Sequence, residues 1–167
     1  MRMFYLISVF LHILAAALWV GGMLFLAVVL VPALRDGEFD PVRRPLLERT
    51  AMRFRLVGWV ALAVVVFTGL FNLFYRWVPW EVFWGARWWN SPLGRTVGYK
   101  LLVVALMLLV SAAHDLWIGP RAIRLWRLDP EGSSAVRYRF LARWLGRVTL
   151  FLGLLAMMLG VILVRGL

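Results

Sequence analysis

The sequence predicts an all-α integral membrane protein, a four-helix bundle with antiparallel neighbouring helices and both termini outside. Hydrophobic residues make up 63% of the 167 positions, and the mean hydropathy is +0.84. A helix needs about 20 mostly apolar residues to cross a hydrocarbon core about 30 Å thick, and runs of this kind recur along the chain. We therefore expect one domain, residues 1–167, with spans at roughly 4–31, 56–76, 96–118 and 146–165.

The first two spans follow directly from uncharged stretches. Met3 to Leu34 carries no formal charge, and Leu56 to Tyr75 carries none either. The N-terminus resembles a signal peptide, but its apolar run continues without a break to Pro32, which predicts a retained first helix. Apolar residues at helical spacing before Leu56 predict an amphipathic segment that leads into the second span.

The third span contains ionisable residues, whereas the fourth does not need them. The uncharged stretch of the third runs only from Leu101 to His114, so a full span must include Lys100, Asp115 or both. An ionisable group within a span is a functional-site hypothesis by default, because it is costly unless it finds a partner or reaches the interface. Val148 to Val164 is nearly long enough to form the fourth span.

The basic residues indicate the topology. Thirteen of the nineteen Lys and Arg residues lie between the first and second or the third and fourth spans. The positive-inside rule therefore places these connections in the cytoplasm and both termini on the periplasmic or extracellular side of a bacterial inner membrane. Since the charges flank spans, the net charge of +11 predicts contact with lipid headgroups and no nucleic-acid partner.

His12 and Lys100 are the leading candidates for chemistry. The chain has no cysteine, which excludes thiolate ligands and haem attached through Cys. At 1.5 Å per residue, His12 lies about 12 Å and Lys100 about 6 Å below the outer ends of their helices, so both reach one layer, together with Thr68 and Asn72. Lys100 is the chain's single lysine, and a desolvated amine can ligate a metal or exchange protons, whereas simple snorkelling is the alternative.

Two helix faces near this layer predict a pocket. On the first helix, His12, Ala15, Ala16 and Trp19 share a face with Gly22 or Met23, and small residues line one face of the fourth helix from Gly146 to Gly160. Such a small-residue face usually seats another helix, and a flat macrocycle is the less common occupant. Met158 reaches the same depth on the fourth helix.

Two further features have a structural and a functional interpretation. His114 with Asp115 lies about 21 Å along the helix from Lys100, so it predicts a separate site, either an interfacial pair or a metal ligand. The outer hairpin carries the tryptophans Trp77, Trp80, Trp84, Trp88 and Trp89. An aromatic belt explains them, and a lid over a quinone or porphyrin is the alternative.

Two segments carry a family resemblance. The first is Leu11-His12 through Trp19-Val20-Gly21-Gly22, with Pro32 closing the helix, and the second is Leu93-Gly94-Arg95-Thr96-Val97-Gly98-Tyr99-Lys100-Leu101. Both resemble the copper-resistance D (CopD) family of membrane proteins. The chain is also similar to HemJ-type protoporphyrinogen oxidases in its helix count, in the first-helix histidine and in the lysine that opens the third helix. The latter resemblance implies a b-type haem at His12 with Lys100 as its functional partner. After Trp19, however, Gly21-Gly22-Met23 replaces the aromatic and arginine-rich stretch of that group.

We thus expect a membrane-embedded b-type haem protein for electron transfer or a membrane redox reaction. In the second case it would be a haem-dependent oxidoreductase. His12 is its predicted axial ligand, with Lys100 or Met158 as the second ligand and Trp19 as a pocket wall. The first alternative is a copper transport or copper-resistance protein that uses His12, His114 and methionines, because imidazole and thioether suit copper. The second is a structural subunit of a respiratory or transport complex or a homo-oligomer, with the fourth helix as its docking face.

Overall fold

Every regular element in the described part of the chain is a helix. The computed structural model describes residues 2–35, 37–76 and 79–165. The elements, in chain order, are α1 (Arg2–Leu24), a π-helical segment (Phe25–Leu30), α2 (Val31–Ala33), a 3₁₀ turn (Gly37–Phe39), α3 (Asp40–Arg76), α4 (Trp80–Phe83), α5 (Ala86–Asn90), α6 (Pro92–Ala113), a second π-helical segment (His114–Ile118), α7 (Gly119–Leu128) and α8 (Ser133–Arg165).

Four of the described helices are long and apolar enough to cross a membrane. They cover Arg2–Ala33, Pro41–Tyr75, Pro92–Leu128 and Ser133–Arg165. Each contains one predicted span, except that the second predicted span reaches Arg76, the last residue of α3. The all-α, four-span fold predicted from hydropathy is therefore confirmed.

The chain forms two compact units, Met1–Asn90 and Ser91–Leu167. In the first unit α1 packs antiparallel to α3. The rings of Tyr5 and Tyr75 stack with centroids 5.0 Å apart at one end, and Phe54 packs on Gly22 at the other. The amphipathic segment before the second span is continuous with it, because α3 begins at Asp40 and contains Pro45. The single domain over 1–167 stays a prediction.

In the second unit α6 and α7 pack antiparallel to α8. The Ser91 side chain caps α6 by accepting a hydrogen bond from the Gly94 amide at 3.1 Å. At the opposite end, the guanidinium carbon of Arg139 lies 5.5 Å from the centroid of the Trp126 ring. Thr149 and Gly153, from the predicted small-residue face of the fourth helix, are buried.

Both π-helical segments precede a proline. The backbone amide of Val31 bonds the Leu26 carbonyl just before Pro32, and the amide of Gly119 bonds the His114 carbonyl just before Pro120. A proline ring clashes with the carbonyl four residues earlier in a regular α-helix, and the wider π turn relieves this clash. The helices therefore continue past their prolines, the first to Ala33 and the second to Leu128.

Candidate functional site

His12 is held by a threonine on the facing helix. Its Nδ1 lies 2.9 Å from Oγ1 of Thr68 on α3, and the Thr68 hydroxyl donates to the carbonyl oxygen of Val64 one turn earlier. A hydroxyl has a single hydrogen, so Thr68 accepts the hydrogen bond from His12. With Thr68 as the acceptor, Nδ1 donates in this hydrogen bond, and the bond orients the imidazole ring as a supporting hydrogen bond does for a metal-binding histidine.

A glycine makes room for the imidazole ring. A Cβ atom on Gly69 would lie 3.0 Å from Cε1 and 3.5 Å from Nδ1 of His12, closer than an ordinary contact in the first case. The sequence placed Thr68 in the layer of His12, and the hydrogen bond agrees with that placement. The sequence-based predictions do not include Gly69. A glycine next to a threonine, at the depth of a histidine on the facing helix, is the pattern that would indicate it.

Polar groups continue for one turn beyond this pair on both helices. Ser8 lies four residues before His12 on α1, and Asn72 lies four residues after Thr68 on α3, so each shares a face with its neighbour. Both Ser8 Oγ and Asn72 Oδ1 are buried without a hydrogen-bond partner among the described residues. We call Ser8, His12, Thr68 and Asn72 the polar column. It lies toward the end of the helix pair away from the arginine-rich connection.

Trp19 takes part in the packing of α1 on α3. It is 5% exposed, and its Cδ1 would lie 3.5 Å from a Cβ atom on Gly58. Ala15, one turn earlier, is also buried. The face of the first helix that the sequence singled out therefore contacts α3, whereas a role of Trp19 at a cofactor stays a prediction.

Lys100 and Met158 lie in the second unit. The Lys100 Nζ would lie 3.1 Å from a Cβ atom on Gly160, so the lysine side chain runs across a glycine of α8. Lys100 has no hydrogen bond or ion pair with any residue that the structure describes. Met158 is 55% exposed. A site shared by His12, Lys100 and Met158 stays a prediction.

His114 pairs with its neighbour in the second π-helical segment. The His114 Nδ1 lies 2.7 Å from Oδ1 of Asp115, and both side chains are half-buried. A Cβ atom on Gly119 would lie 3.0 Å from the His114 carbonyl oxygen, so the π turn brings these backbones close. His114 and Asp115 thus form a hydrogen-bonded pair, while its interfacial position and metal binding by His114 stay predictions.

The connection between the second and third spans forms an aromatic cluster. The Phe83 ring contacts Phe74, Trp84, Trp88 and Trp89 at centroid distances from 5.0 to 5.6 Å. The indole of Trp89 donates a hydrogen bond to the Phe83 carbonyl at 2.8 Å, while Trp80 and Trp84 are exposed. Trp77 lies outside the described residues. The cluster suits a membrane interface, and a lid over a quinone or porphyrin stays a prediction.

These features define a multi-pass all-α membrane protein with polar groups inside its spans. No cluster of three or more His, Cys, Asp or Glu residues placed to hold a metal ion occurs in the described ranges. A family model described as copper resistance protein D matches residues 48–163. The chain belongs to this family, which confirms the resemblance seen in the sequence.

The chain is also similar to an uncharacterized protein of Aquifex aeolicus (strain VF5). The two are 32% identical over 153 residues, which covers 91% of this chain and 90% of that protein. No solved structure matches. The family links this membrane protein to copper resistance, so it favours the copper alternative over the expected haem protein, for which the comparisons give no support.

Proposed function

We propose that this protein handles copper within the membrane, as a carrier or channel, and that the polar column is where the ion binds in transit. Family membership supplies the metal. The observation that carries the assignment of the site is the His12–Thr68 hydrogen bond beside two buried oxygens without partners. Such groups are costly in a low-dielectric span, and a cation that they solvate offsets that cost.

The donor set of the polar column suits passing copper. Imidazole binds copper well, and the Thr68 hydrogen bond orients the ring. The remaining groups are neutral hydroxyl and amide oxygens, which bind a soft ion weakly. Transport requires a site that an ion enters favourably and also leaves, so one nitrogen donor among weak oxygen donors matches that requirement.

Copper flux into proteoliposomes that contain the purified protein tests this proposal without assuming a direction of transport in the cell. Wild-type protein should carry copper faster than protein-free liposomes, and His12→Ala should lower the rate by about tenfold or more, as loss of a ligand or its support does. Thr96→Val is the control and should keep the wild-type rate, because it removes a hydroxyl that bonds the Pro92 carbonyl on an exposed turn of α6.

Two outcomes would contradict the proposal. One is wild-type flux no faster than that of empty liposomes, and the other is a His12→Ala rate equal to that of wild type. An absorbance spectrum of the same preparation distinguishes copper handling from the haem protein expected from the sequence. A Soret band that shifts on dithionite reduction and disappears in His12→Ala would indicate a b-type haem.

A further inference from the structure

The first turns of α3 extend beyond what a membrane span needs. At 1.5 Å per residue, its 37 residues reach about 55 Å, against a hydrocarbon core about 30 Å thick. Its uncharged stretch begins only at Leu56. The turns that precede Leu56 therefore lie at the level of lipid headgroups or beyond it.

An open groove of about 500 Å³ runs along the surface of α3 in this part of the first unit. It is lined by Leu46, Arg49, Thr50, Arg53, Phe54 and Val57. Arg49 and Arg53 are one helical turn apart, and so are Thr50 and Phe54, so two adjacent faces of α3 contribute to it. The polar members and Leu46 lie before Leu56, whereas the apolar Phe54 and Val57 lie at the edge of the span.

The two arginines in the groove have no partner among the described residues. Neither Arg49 nor Arg53 forms a hydrogen bond or an ion pair there, whereas Arg44 on the same helix lies 3.9 Å from the buried Glu48. Two guanidinium groups one turn apart therefore offer their donors to a single groove. Guanidinium groups bind phosphate through paired, charge-assisted hydrogen bonds.

The apolar wall of the groove is fixed by helix packing. The Phe54 ring lies on Gly22 of α1, so closely that any Cβ atom there would overlap it, and it also approaches Gly58. The wall is therefore part of the α1–α3 contact. A ligand for this groove needs an anionic head for the arginines and an apolar part for Phe54 and Val57.

We propose that this groove binds an anionic phospholipid. The phosphate lies between the guanidinium groups of Arg49 and Arg53, with the Thr50 hydroxyl as a further donor, and the start of the acyl chains lies along Phe54 and Val57. The position at the junction of basic turns and apolar span supports a lipid, because both parts of such a molecule are present at that depth. This inference is independent of copper.

Native mass spectrometry of the full chain released from nanodiscs tests the proposal. The nanodiscs contain phosphatidylcholine with a small fraction of phosphatidylglycerol. Wild-type protein should retain phosphatidylglycerol preferentially, and Arg49→Gln/Arg53→Gln should lower that preference by about twenty-five-fold, from about fivefold per arginine near the surface. The matched control, Arg121→Gln/Arg124→Gln on α7, removes the same charge elsewhere and should retain the preference.

A second arm distinguishes a lipid from a free anion. Inorganic phosphate at millimolar concentration should not displace phosphatidylglycerol from wild-type protein, because phosphate lacks the apolar part. Displacement would identify the groove as a simple anion site and overturn the lipid assignment. Equal loss in the control variant, or no loss in the groove variant at unchanged circular dichroism, would also overturn it. Phe54→Ala tests the apolar wall and should weaken retention while leaving both arginines in place.

Discussion

At the scale of single residues, the hydroxyl hydrogen of Thr68 determines which nitrogen of His12 carries a proton. Because that hydrogen is directed to the Val64 carbonyl, the hydroxyl can only accept from the imidazole. This hydrogen bond fixes the orientation of the imidazole ring within the span. Thr68 is thus a positioning residue for the proposed copper site.

Thr68→Val should remove the effect of Thr68 on the His12 tautomer. The variant keeps the shape of the side chain but provides no acceptor, so His12 should populate both neutral tautomers. Nitrogen-15 spectra of histidine-labelled protein measure this directly, and His114→Ala assigns the two signals. We also expect copper flux to fall by about tenfold, the usual size of an effect on a residue that orients a ligand.

Thr96→Val is the control for Thr68→Val. The Thr96 hydroxyl bonds the Pro92 carbonyl at 3.0 Å on an exposed turn of α6, so its loss removes a comparable helix bond without touching His12. An unchanged His12 tautomer in Thr68→Val, or an equal change in Thr96→Val, would refute the role assigned to Thr68.

The sequence predicted much of this site but not its closest contacts. Depth along each helix placed His12, Thr68 and Asn72 in one layer, because rise per residue is constant. It could not show that Gly69 admits the ring, since hydropathy and spacing carry no information on rotation about the partner helix. The buried oxygens of Ser8 and Asn72 were likewise invisible, because burial depends on what packs around each atom.

At the scale of helices, the α1–α3 contact depends on particular glycines of each helix. Gly21 and Gly22 are neighbours in α1, yet a Cβ atom would meet nothing within 4 Å at Gly21 and would overlap the Phe54 ring at Gly22. In a membrane, where no hydrophobic effect drives helices together, such close approach supplies the packing energy. The pair therefore provides a matched comparison.

Gly22→Leu should lower the free energy of unfolding by about 1–3 kcal/mol, the usual cost of overpacking a close contact. Gly21→Leu, with open space at its Cβ, should stay within about 0.5 kcal/mol of wild type. Reversible unfolding in mixed detergent micelles, followed by far-ultraviolet circular dichroism, measures both. Equal destabilisation would show that the helix-packing assignment is wrong and that glycine is needed at both positions for another reason.

The sequence did not show how two helices pass their prolines. Pro32 was interpreted as the end of the first helix, and the third span was predicted to end near residue 118. In the structure each helix passes its proline through a π-helical segment. The first helix then ends at Ala33, one residue after Pro32, and the second continues to Leu128. Proline limits an α-helix by one clash and one lost donor, and a single wider turn removes that limit without breaking the helix.

At the scale of the whole molecule, the distribution of charge predicts the topology. Thirteen basic residues lie in the connections between the first and second and between the third and fourth spans. The rule that basic loops stay in the cytoplasm then places both termini on the other side. The helix bounds leave this assignment unchanged, because the same arginines still flank the four apolar stretches.

Reporter fusions test this topology. Alkaline phosphatase fused to the C-terminus should be active, and a fluorescent reporter that matures only in the cytoplasm should be dark there. The same pair inserted after Gly132, between α7 and α8, should give the opposite result. A fluorescent C-terminal fusion would contradict the topology and would place the polar column toward the cytoplasmic side.

The two π-helical segments also bear on how the length of this chain can change. Each wide turn stores one residue more than a regular α-helix would use over the same rise. When one residue is deleted within Phe25–Leu30 or His114–Ile118, the wide turn can therefore become an ordinary α-helical turn. A deletion within Arg2–Leu24 would instead rotate every preceding side chain by about 100° against its partner helix. In relatives of this protein, single-residue gaps in alignments should accordingly collect at these two turns.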